Sequence, residues 1–186
     1  SGTLNLGSGF THAVAAVSGS GGINFGTSNL NATGNVNLAS ATVTASSSNT
    51  LAFTGGAAQT YTPNASVTAL NLTQNGSGGT TVSTNNFTTP TLTISNGTFN
   101  LGTGLNHIAT NFTATGGGLD FGSSILDLTG ATQDFSNLGS LTPGSGTLRF
   151  TGSTAKTFTP KAVHTYPNVL QGGTGTLTLA THNLTL

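Results

Sequence analysis

The chain has 186 residues, of which only 3% are charged, against about 25% in ordinary globular domains, and its formal net charge is zero. That balance leaves no electrostatic footprint for nucleic acid or an anionic membrane surface. The complete lack of Cys excludes disulfides, thiolate metal sites and thiol catalysis. No apolar run approaches the roughly 18 residues of a helical membrane span. The first residue is Ser, which is the expectation for a piece of a longer precursor.

In chain order the segments are short and of one kind. TLNL (3–6), INF (23–25), VNLA (36–39), ATVTA (41–45), TLAF (50–53), QTYT (59–62), ALNLT (69–73), TTVST (80–84) and TLTIS (91–95) alternate apolar with small polar residues. Gly, Asn or Ser turn chemistry bounds each of them. TFNL (98–101), LDF (119–121), ILDLT (125–129), TLRF (147–150), KTFT (156–159), TLTLA (176–180) and NLTL (183–186) continue the pattern. THAVAAV (11–17) has local Ala enough for a short helix. Its later counterpart NHIATNF (106–112) alternates like a strand, so both read as strands. Gly interruptions and β-branched residues oppose helix elsewhere. The chain is expected to be all-β.

A long internal repeat overlies these segments. TLAFTGGAAQTYTP (50–63) returns as TLRFTGSTAKTFTP (147–160), with nine of fourteen positions identical, 97 residues on. SGTLNLGSG (1–9) returns as NGTFNLGTG (96–104), and INFG (23–26) as LDFG (119–122). The reading is two tandem repeats, 1–95 and 96–186, stacked as one rod. Two architectures suit many short strands with such a period. Tandem immunoglobulin-like sandwiches need a core about 10 Å thick, filled by large inward residues. A β-solenoid needs only one or two apolar residues per strand, with Thr, Ser and Asn stacked outside, and is preferred here. Coils of about 18–30 residues are expected. Leu186 aligns with Thr89, so PTLTIS (90–95) has no counterpart after it. The expectation is that either the chain continues or a neighbouring subunit supplies the next rung.

Candidate chemistry is sparse. Asp120, Asp127 and Asp134 lie seven apart, the kind of spacing that invites a calcium or lyase reading. Asn24 and Asn31 replace the first two in the other repeat, and without Glu the hard anionic ligands of a calcium cage are lacking. Turn-capping or surface carboxylates are the better reading. His12 and His107 are the only ionisable residues kept in both repeats and are expected to stack or bond a turn. His164 and His182 complete the set, and zinc would need further ligands from facing strands. Arg149, Lys156 and Lys161 replace Ala52, Gln59 and Asn64, and read as a solvated face or edge protection. Thr-x-Thr at 42–44, 60–62, 91–93, 157–159 and 176–178 is too irregularly spaced for a flat ice-binding array. Eight Asn-x-Ser/Thr sequons, among them Asn31, Asn64 and Asn96, follow from composition. No Ser sits in a G-x-S-x-G elbow. No catalytic residue, metal ligand or cofactor site is assigned, and no enzyme is expected.

The blocks GTLNLGSG, TLRFTGSTAKTFTP and NVLQGGTGTLTLATHNLTL (168–186) resemble repeat modules of giant secreted bacterial surface proteins, the autotransporter passengers and filamentous-haemagglutinin-like adhesins. The resemblance implies a right-handed parallel β-helix, export, and a place outside the cell. The expected function is a structural module of an extracellular filament or surface fibre that assembles end to end with itself. The alternative is an adhesin binding glycans or surfaces through a Thr/Asn-rich face, with ice binding a lesser one.

Overall fold

The structure, a computed structural model, describes residues 2–186. Twenty-one short strands and no helix run through them. The first repeat contributes β1 (Thr3–Asn5), β2 (Thr11–Val14), β3 (Gly22–Asn24), β4 (Asn29–Ala32), β5 (Val36–Asn37), β6 (Thr42–Thr44), β7 (Thr50–Phe53), β8 (Gln59–Thr62), β9 (Asn71–Gln74), β10 (Thr80–Val82) and β11 (Thr88–Ile94). The second contributes β12 (Thr98–Asn100), β13 (Asn106–Ala114), β14 (Gly118–Asp120), β15 (Ile125–Leu128), β16 (Thr132–Asp134), β17 (Ser140–Thr142), β18 (Thr147–Phe150), β19 (Lys156–Thr159), β20 (Asn168–Gln171) and β21 (Leu177–Leu179).

Strands pair in parallel with the next rung, never with their chain neighbour. The largest sheet runs β2-β4-β7-β9-β11-β13-β15-β18-β20, nine strands and therefore eight steps. Its register advances by 18 residues from His12 to Leu30, 21 from Leu30 to Leu51, and 22 from Leu126 to Leu148. The chain is a β-solenoid, and the parallel stacking excludes sandwiches built from antiparallel hairpins. At about 4.8 Å per rung, eight steps make a rod about 40 Å long.

The rung length follows from corner chemistry. Asn5, Asn24, Asn100 and Asp120 each accept the N–H of the Gly two residues on through Oδ1, at 3.1, 3.0, 2.7 and 2.9 Å. This Asx turn bends the chain away from each strand. The Gly is required: Gly122 and Gly144 have φ of +55° and +54°, and a Cβ on either would collide with the carbonyl of Gly102 or Gly122 one rung away. Corners stack on corners and leave no room for side chains.

Inside, each rung delivers one or two apolar side chains per strand. Leu30, Leu51, Leu72, Leu92, Leu126 and Leu148 are buried in the nine-stranded sheet. Phenylalanines fill the axis. Phe53 lies 6.1 Å from Phe99, which lies 6.0 Å from Phe87. Phe158 lies 5.0 Å from Phe150 and 5.2 Å from Phe135. These offset and edge contacts replace the thick core that a sandwich would need.

The repeat does not span a whole number of turns. β5 and β8 share the six-stranded sheet with β12, β14 and β17. Yet the first-repeat counterparts of those last three are β1, β3 and β6, which form a separate sheet. β11 and β13, at seven and nine residues, carry the change of face. The C-terminal half of β13 stacks on β11 and so on β9, while its N-terminal half carries β15. With three strand positions to a turn, 97 residues make about four and two-thirds turns of roughly 21 residues, within the expected coil range. Each second-repeat strand therefore stands one face round the rod from its first-repeat counterpart.

Candidate functional site

The two histidines retained in both repeats occupy one local design. In the second repeat His107 donates from Nε2 to the Leu101 carbonyl at 2.8 Å, and Ser124 Oγ donates to the same oxygen at 3.0 Å. The backbone N–H of Phe87, one rung away, donates to His107 Nδ1 at 3.2 Å. A carbonyl can only accept and an amide can only donate, so the ring is the neutral Nε2–H tautomer. It is fully buried and stacks on Phe87 with centroids 4.2 Å apart. Burial pushes its pKa down to about 4, partly offset by the Leu101 bond.

In the first repeat His12 donates from Nε2 to the Leu6 carbonyl at 2.8 Å, and Ser28 Oγ donates to that oxygen at 3.0 Å. The corner is the same, but no rung precedes it among the described residues, and Nδ1 there receives no N–H. Both histidines are the stacked or turn-bonding imidazoles expected from the sequence. His164 donates to the Leu138 carbonyl at 3.0 Å. His182 is exposed.

The carboxylates divide. Asp120 and Asp134 cap turns as expected, Asp134 accepting from the Ser136 N–H at 2.8 Å. Asp127 departs from the turn-capping or surface reading. It is buried, and Arg149 on the next rung clasps it with Nε at 2.5 Å and Nη2 at 2.7 Å. That bond holds the Arg149 pKa above its ordinary value, burial opposing it. Asn31 and Ala52 hold the two positions in the first repeat, where the pair is neutral.

The expectation of solvated cations fails at Lys156. It is 2% exposed, and Nζ donates to the Thr129 carbonyl at 2.9 Å and to Thr154 Oγ1 at 3.3 Å. Its counterpart Gln59 does the same work, donating from Nε2 to the carbonyls of Ala32 at 3.0 Å and Gly34 at 2.6 Å. Lys161 donates to the Leu138 carbonyl at 2.7 Å, where Asn64 donates to that of Ala41 at 2.7 Å. These cations close rung corners by satisfying backbone carbonyls that the turns leave unpaired.

No three residues among His, Cys, Asp and Glu converge among the described residues, and no helix there is long and apolar enough to cross a membrane. What remains are two surfaces. The outer face of the nine-stranded sheet carries Thr11, Asn29, Thr50, Asn71, Thr91 and Asn111 in one column, Thr and Asn in alternation. All formal charge lies beyond this stretch, at 120–161. The rod ends are apolar. Every exposed large hydrophobic residue lies before Thr11 or after Ala162: Leu4, Phe10, Val163, Leu170, Leu179 and Leu186. An open hollow of about 320 Å³, lined by Leu4, Val14, Val17, Ile23 and Leu30, opens at the N-terminal end.

No protein-family model matches the chain, and neither a curated protein nor a solved structure matches it.

Proposed function

We propose that this chain is a structural module of an extracellular filament or surface fibre that assembles end to end with copies of itself. The observation that carries this reading is the contrast between ends and middle. Leu4 and its second-repeat counterpart Phe99 hold the same place in a strand, yet Leu4 is 56% exposed and Phe99 0%. β12 has a rung on both sides, whereas β1 pairs only with β3. An open ladder end with apolar side chains, unguarded by charge, is a template for further pairing. The work done is mechanical: main-chain hydrogen bonds along the axis transmit load, and no substrate, cofactor or metal enters. Its partners are neighbouring copies, and its place is the cell surface or beyond.

Sedimentation across a concentration series tests this, together with electron microscopy of the concentrated protein. Rods a few nanometres wide and many times the monomer length are expected; a single monomeric species at all concentrations would remove the reading.

A second reading rests on the uncharged Thr/Asn columns, which offer hydroxyl and amide groups at one-rung spacing to a glycan or surface. A glycan array separates it from the first, since binding by monomeric rods would favour it. Thermal hysteresis tests the ice-binding variant.

A further inference from the structure

The junction between the two repeats is a worked example of how the C-terminal end of this sequence meets its N-terminal end. There Thr88 lies opposite Ile108, and the Ile108 N–H donates to the Phe87 carbonyl at 3.0 Å. On the neighbouring face Thr80 lies opposite Phe99. By the repeat alignment Phe87 and Thr88 correspond to Leu184 and Thr185, and Thr80 to Leu177. Phe99, His107 and Ile108 correspond to Leu4, His12 and Ala13. The second member of each pair stands at the N-terminal edge of the rod, and the first at the C-terminal edge.

Resting on the end-to-end reading above, we infer that the N-terminal edge seats the C-terminal edge of a second copy in this same register. His12 Nδ1 accepts the N–H of Leu184 of the partner subunit, and Leu4 lies opposite Leu177 of the partner subunit. Three observations converge on that occupant. His12 is already held by Leu6 and Ser28 in the tautomer whose free nitrogen accepts, as His107 is held by Leu101 and Ser124. Leu184 faces inward and is half-buried, in the place where Phe87 covers His107. The exposed Leu4 and Phe10 on one edge and Leu179 and Leu186 on the other become covered together. Neither edge strand carries a charged side chain to oppose the approach, His182 being the one further titratable group beside the C-terminal edge.

The chain has no cysteine, which makes the register directly readable. Ala13 and Thr185 are both exposed and lie at opposite ends of a rod about 40 Å long, so a disulfide between them can form only between chains. The double variant Ala13→Cys/Thr185→Cys is expected to give a disulfide-linked ladder on a non-reducing gel. Thr11→Cys/Thr185→Cys, displaced by one pleat, is expected to give at least about tenfold less. Equal ladders from the two variants, or none from either while the parent protein sediments as polymer, would overturn the register and leave the end-to-end reading standing. A parent protein that is monomeric throughout would overturn both. His12→Leu keeps the apolar bulk but loses the acceptor, and is expected to weaken association about tenfold. Unchanged association would remove the imidazole from the seam.

Discussion

The two repeats solve the same corners with different chemistry, and the difference shows what the fold demands. Where the first repeat places Gln59, the second places Lys156, and both are buried with their donors on the carbonyls of neighbouring turns. On the strands between corners, where the first repeat places Asn31 and Ala52, the second places Asp127 and Arg149 in a clasped pair. The corner needs a donor of a given reach, and the charge that comes with it is secondary. The histidines make the converse contrast. His12 and His107 are identical in chemistry, but only the second has a rung on both sides.

That last contrast yields the largest expected effect. His107 has its pKa pushed down to about 4, below the ordinary value near 6.5 that the unfolded chain would show. Its contribution is fully present above pH 6.5, where both states are neutral. It falls as pH drops, because the unfolded state takes up the proton first, until the folded state also binds it near pH 4. The loss across that window is about 3 kcal/mol by linkage. Urea unfolding from pH 7 to pH 4 measures it. In His107→Gln, whose amide can serve both bonds, the acid loss is expected to shrink by most of that amount.

The Gln59–Lys156 comparison sharpens next. Lys156→Gln is expected to leave stability within about 1 kcal/mol of the parent, since repeat one shows the amide closing the same corner. Lys156→Leu is expected to fall about 2 kcal/mol below the Gln variant, because the Thr129 carbonyl then loses its donor. Equal unfolding midpoints for the two variants would break the comparison. The smallest effect is at Asp127 and Arg149. Asp127 is buried, but the Arg149 side chain is 28% exposed, so screening reduces the pair. A double-mutant cycle with Asp127→Asn and Arg149→Ala should return a coupling of about 1 kcal/mol, shrinking at high salt.

Much of the fold was legible in the chain. The TLAF, QTYT, TLRF and KTFT segments match β7, β8, β18 and β19 residue for residue, because alternation and β-branching act locally. β4, β16, β17 and β20 were not singled out. TQD and NVLQ have little alternation, and each is a strand because the rung it pairs with imposes it, whereas NLNA and SLT do alternate, over only four and three residues. The turn-capping role of Asp120 could be read from Asn24, its counterpart 96 residues earlier, since either side chain makes an Asx turn. The burial of Lys156 could not. A cation inside a corner is tolerated only because particular carbonyls surround it, and those come from residues far apart in the chain.

Composition and pattern alone determined an uncharged all-β chain of short rungs, its near-hundred-residue repeat, and its Asn/Asp–apolar–Gly corners, for each depends on neighbours within a few residues. The packed rod decided the rest: which polar groups turn inward, and which face each repeat presents. Face is set by the running count of strand positions before it. Rungs of 18 to 22 residues keep their strands in one ladder, so it is the number of strand positions, three to a turn, that makes the one-third turn between repeats a property of the whole stack.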